Sequence, residues 1–122
     1  MNVQWFSSKN LNGVLTLDRN YLLLNVSASK NLKEPFRILL GIKDDKNLVI
    51  KSVRKDEINR YPKENLLKFT KTKSYLRICS KSVVSKIANM LNLSWKSLPK
   101  KFPTTYNAKE NYLLIDTQSA NK

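Results

Sequence analysis

"NYLLLNVSASKN", residues 20–31, decides how the rest of the chain folds. Read as a helix, it sits between a short alternating strand at 14–17 and a strand at 36–42, and the first half of the chain becomes β-α-β-β. Read as a strand, "YLLL" simply extends the sheet. Val26 and Ser27 are poor helix formers, and Pro35 sets the latest point at which a helix could end. The expectation is a helix near 20–31, because the second half of the chain supplies a parallel for it.

That second half, residues 74–117, has a strand at 75–79 and then a helix near 81–92. Val83, Val84, Ile87, Met90 and Leu91 recur there at helical spacing, while Lys81, Ser85, Lys86 and Asn89 fall largely elsewhere. Ser80 or Ser82 can cap the first turn by accepting from an unpaired amide. A short strand near 102–106, the turn "NAKEN" and a strand at 111–117 complete the half. The first half, residues 13–53, closes in the same order, with the turn "KDDKN" and a strand at 47–53, and "LVIKS" aligns with "LLIDT". The expected class is therefore α+β, with two pseudo-symmetric β-α-β-β halves sharing one core, since units of forty residues rarely bury enough alone. Residues 54–73 read as an ordered connector within a single domain 1–122. They hold one helical turn at 55–60, a break at Pro62, and apolar side chains (Ile58, Tyr61, Leu66, Leu67, Phe69) that favour burial.

Composition narrows the chemistry. The 122 residues are 41% hydrophobic, enough for a folded core. No apolar run approaches a membrane span, and "MNVQWFSSKNLNG" lacks the regions of a signal peptide, so a cytoplasmic protein is expected. The single Cys79 fits a reducing compartment, and its alternation with Leu76 and Ile78 suggests a buried or half-buried structural thiol rather than a nucleophile. No histidine is present, and Gly13 and Gly41 are the only glycines. A zinc site, a His base and a phosphate-cradling glycine loop are thereby excluded. Asp44, Asp45, Asp56 and Glu57 sit among turn residues or lysines, like hairpin and capping groups rather than an acid pair. The reading is of a protein that is not an enzyme and takes no cofactor or metal.

Charge supplies the functional expectation. Twenty-three Lys and Arg face nine Asp and Glu, a net +14. Residues 65–109 hold ten cations and no acid, whereas residues 1–64 hold twelve cations and seven acids. Fourteen Asn beside the lysines fit an AT-rich coding bias, but such bias should spread evenly. A segregated positive field attracts nucleic acid by counterion release. Within "KFTKTKSYLRICSK", residues 68–81, alternation puts Lys71, Lys73, Tyr75, Arg77 and Cys79 on one face and Leu76 and Ile78 on the other. A straight row of this kind repeats every ~6.5–7 Å, close to the ~6–7 Å phosphate spacing of a nucleic-acid strand. The same row could instead protect an edge strand from aggregation. Lys71, Lys73, Tyr75 and Arg77 of that row form the candidate nucleic-acid surface with Lys68, Lys81, Lys86, Lys100 and Lys101.

Two successive β-α-β-β units, each with a polar turn before an "L-x-I" strand, resemble the swapped-hairpin DNA-binding units of the AbrB and SpoVT regulators, and of MraZ, where two units share a chain. The likeness covers residues 13–53 and 74–117. The family's "G-R-I-x-I-P" strand is partly matched by Gly13 and Leu17 in the first half and by Arg77 and Ile78 in the second; Asp18 and Cys79 stand where the proline would. The resemblance implies a DNA-facing surface of strands and loops, to which Arg19, Arg37, Arg54, Arg77 and Lys81 correspond. The layout is also similar to small proteins of low-GC Gram-positive bacteria and their phages. The expected function is nucleic-acid binding, with DNA favoured, by a regulator or accessory factor of a mobile element, as a monomer or homodimer. A phage-type inhibitor or adaptor that binds a bacterial nucleoprotein, such as an anti-CRISPR, is the alternative. Its exposed aromatics would come from Trp5 and Phe6 or from Trp95 and Phe102, which otherwise read as core anchors. A basic two-repeat domain with no nucleic-acid partner is the third reading.

Overall fold

The sequence-critical stretch is a strand. In the computed structural model, which describes residues 13–33, 35–44 and 47–118, Tyr21–Asn25 (β2) pairs with Val14–Leu17 (β1) in the register Leu15↔Leu24 and Leu17↔Leu22. Leu22 and Leu24 are fully buried, while Tyr21, Leu23 and Asn25 are half-buried. A helix would spread three consecutive leucines around most of its circumference; a strand sorts them onto two faces. Asn25 then stops the strand. Its side-chain oxygen accepts from the amides of Val14 and Ala28, both at 3.0 Å, so it anchors β1 and caps a helix of one turn, Val26–Ser29 (α1).

The expected α+β class and its β-α-β-β halves are thereby overturned. The described residues are mostly β: eight antiparallel strands form one curled sheet, with α1 and the ten-residue Lys81–Met90 (α2) as the α-helices. Arg37–Lys43 (β3) and Asn47–Val53 (β4) form a hairpin, in whose turn Asp44 takes a positive φ of 56°. A short Thr70–Lys71 (β5), Tyr75–Cys79 (β6), Lys100–Asn107 (β7) and Tyr112–Ile115 (β8) complete the set.

The strand order is β3-β4-β8-β7-β1-β2-β6-β5. Strands of the two chain halves are therefore interleaved, because β1 pairs with β7, β2 with β6 and β4 with β8. The sheet curls far enough that its β3 edge meets the connector: Ile38 N donates to Leu67 O at 3.0 Å, and Leu67 N donates to Ile38 O at 2.8 Å. Right-handed strand twist accumulated over this many strands produces such curvature. Leu15, Leu17, Ile50, Ile78, Phe102 and Ile115 fill the interior, and α2 adds Val84, Ile87 and Ala88. The connector folds as 3-10 turns at Lys55–Arg60 and Lys63–Asn65 before entering β5. No helix among the described residues is long and apolar enough to cross a membrane.

Candidate nucleic-acid interface

The expected straight row from Lys71 to Arg77 does not form. Thr72 N donates to Tyr75 O at 2.8 Å, and the amides of Ser74 and Tyr75 donate to Thr72 Oγ1 at 3.1 Å each. A threonine hydroxyl that satisfies two amides offers the chain a turn in place of continued strand. Lys71 therefore lies back against Leu76, and Lys73 occupies the turn. Only Tyr75, Arg77 and Cys79 remain in line on the outer face, while Leu76 and Ile78 point inward as expected. Cys79 is exposed rather than buried. It ends its strand on the solvent side, so the outer-face parity outweighs its apolar character.

What the fold brings together runs across the strands. The register Lys101↔Thr16, Thr16↔Leu23, Leu23↔Arg77, Arg77↔Thr70 forms one transverse row on the outer face. Lys101 and Arg77 are three strands apart, about 14 Å at the usual strand spacing. Past the Ile38–Leu67 bridge, antiparallel register sets Lys68 opposite Arg37. The Arg37 guanidinium lies 4.3 Å from the Phe36 ring centroid and donates to Phe36 O at 2.8 Å. Arg19 and Lys81 are exposed, and Lys100 is half-buried. All three lie at one end of the sheet, where Leu17 faces Lys100 and Tyr21 faces Cys79. Two expected site residues lie apart from this surface. Arg54 is paired with Asp56 at 3.5 Å and Glu57 at 3.4 Å, and Lys86 projects from α2.

Arg77 is the most constrained cation. Its guanidinium carbon lies 5.6 Å from the Tyr75 ring centroid and 6.0 Å from that of Tyr21. Its Nε is buried without a hydrogen-bond partner. Among the described residues the ion pairs involve only Arg54 and Arg60, so no carboxylate neutralises Arg77. Tyr21 was not among the expected site residues. The nearby Asp18 carboxylate, by attracting the Tyr21 hydroxyl proton, and some desolvation raise the phenol's pKa above its usual value. Tyr21 therefore stays a neutral ring at physiological pH. A strand reading of residues 20–25 would have found it, because alternation puts Tyr21 on the face opposite Leu22 and Leu24.

Elsewhere, an open apolar groove of about 220 Å3 runs between α2 and β3, lined by Leu40, Ile42, Val83, Ile87 and Met90, with Lys86 and Glu64 also on its wall. Trp95, expected as a core anchor, is 46% exposed, whereas Phe102 is buried. Trp5, Phe6 and Asp45 lie outside the described residues. Asp56 and Glu57 serve the Arg54 turn as capping and pairing groups. No group of three His, Cys, Asp or Glu able to hold a metal occurs among the described residues. Comparison with known protein families, curated proteins and solved structures finds no match to this chain.

Proposed function

We propose that this protein is a non-enzymatic nucleic-acid-binding factor that grips phosphate through the outer face of its curled sheet. The observation that carries this reading is the transverse placement of Arg77 and Lys101 on one face, continued by Lys68 and Arg37, with no ion pair to a carboxylate among the described residues. Unneutralised cations in a field of net +14 release counterions when they meet a polyphosphate. The role proposed on this reading is a regulator or accessory factor acting on DNA in the cytoplasm.

The test is fluorescence anisotropy with a labelled duplex and a labelled single strand of equal length over a salt series. Affinity should fall steeply with salt. Lys68→Glu with Lys101→Glu should weaken binding by roughly tenfold or more, since each removes a phosphate contact and adds repulsion. Lys63→Glu with Lys109→Glu, an equal charge change away from this face, should cost about threefold or less. Equal losses in the two pairs would reduce the interaction to net charge, and a salt series flat for both probes would remove it.

The inhibitor reading keeps one specific support: Ile42 is 57% exposed beside the α2–β3 groove, and Trp95 is 46% exposed. Exposed apolar side chains near a groove suit a protein partner. Recovery of one stoichiometric protein on this chain after nuclease treatment would favour that reading over the first.

A further inference from the structure

The outer face of β2 and β6 carries more than charge. Tyr75 and Cys79 are four residues apart on β6, and Tyr21 lies directly opposite Cys79 on β2. The backbone positions of the two tyrosines are thus roughly 13 Å apart along the strand direction, four residues at about 3.3 Å each, and their rings lean toward each other over Arg77. Arg77 lies midway, within 6.0 Å of both ring centroids. Resting on the nucleic-acid reading above, we infer that Tyr75, Arg77 and Tyr21 form a stacking platform for single-stranded nucleic acid, with unpaired bases on the two rings and the linking backbone over Arg77.

Three features separate this from a generic basic surface. First, the guanidinium lies over a face of each half-buried ring, so bases would meet the ring surface it leaves and phosphate would meet the guanidinium between them. Base-on-aromatic stacking beside an arginine is how sequence-tolerant single-strand binding is built. Ring centroids that both lie within 6.0 Å of one guanidinium carbon are under about 12 Å apart, which fits two nucleotide steps of about 6 Å each. Second, Asp18 sits beside Tyr21 in the β1–β2 turn, its N donating to Tyr21 O at 3.0 Å. Its carboxylate repels phosphate at that end, so the Tyr21 position suits a neutral base. Third, Leu23 and Thr16 stand between Arg77 and Lys101 on the same row. They leave the middle of the face uncharged, where a duplex with two phosphate backbones would gain little, while a single strand can follow β6. Duplex DNA also keeps its bases stacked on each other and offers none to the rings.

The experiment compares three probes of equal length by anisotropy: oligothymidine, an abasic strand with the same phosphates, and a duplex. An oligouridine arm distinguishes DNA from RNA as the source of the strand. Oligothymidine or oligouridine should bind at least about tenfold tighter than the abasic strand and the duplex. Tyr21→Ala with Tyr75→Ala should lose about tenfold or more for oligothymidine, while Tyr21→Phe with Tyr75→Phe should stay within about threefold, since the ring and not the hydroxyl stacks. The probe comparison uses the unaltered protein, so it stands even where the alanine pair fails to fold. Equal affinity for the abasic strand, or a duplex bound as tightly as oligothymidine, overturns the platform while leaving salt-dependent phosphate binding intact. Absence of salt-dependent binding to any probe overturns the nucleic-acid reading itself.

Discussion

Gly13 leads into β1, and a methyl group there would collide with Thr104 Oγ1 and lie 3.1 Å from Ala28 Cα. Its carbonyl accepts from Thr104 N at 3.0 Å, which holds β7 close. Neither the helix backbone at Ala28 nor a strand held by that bond can move aside easily. Gly13→Ala should therefore cost about 1–3 kcal/mol of stability, as overpacking does, read as a lower urea midpoint at unchanged slope. A change below about 0.5 kcal/mol would mean that β7 and α1 yield. Little of this was visible beforehand. Gly13 attracted notice through a motif resemblance, whereas its requirement comes from two segments distant in the chain. Ser80 is nearer the opposite case, since the residues around it narrowed the helix cap to Ser80 or Ser82, and its bond from Val83 N decided between them.

At the scale of single elements, local chemistry was most readable where it was unopposed. Helix α2 forms where apolar spacing put it, and Val83 N donates to Ser80 Oγ at 3.2 Å. Ser80→Ala should remove about 1 kcal/mol of stability and increase amide exchange in the first turn of α2, while Ser80→Asp should restore both. Unchanged exchange would show that packing of Val84 and Ile87 alone holds the helix start. Residues 20–31 were harder because two signals competed. Three consecutive leucines suit either a helix or a strand buried on one face and half-covered on the other. The pairing of β2 with both β1 and β6 decided for the strand, and Asn25 then left room for only one helical turn. In the same way, Thr72 ended an alternation that looked continuous from Lys71 to Arg77.

At the scale of the whole molecule, interleaving of the halves has a direct consequence. Residues 1–73 contain β1 and β2 without β7 and β6, and β4 without β8. Their buried leucines would face water, and their strand edges would be unpaired. Fragments 1–73 and 74–122 should each give coil-like circular dichroism alone, while the full chain unfolds in one cooperative step. A fragment that folds on its own would show that the curled sheet is not a single unit. What the sequence determined by itself was what depends on composition and near neighbours: the basic field, the missing histidine and glycine chemistries, the inward faces of β6 and α2, and the turn between β7 and β8. The tertiary structure alone decided the mainly β architecture, the order of strands and the meeting of Tyr21 with Arg77. The physical reason is that strand pairing is satisfied between residues far apart in the chain. Alternation fixes which face a side chain takes but carries no information about which strand lies beside it.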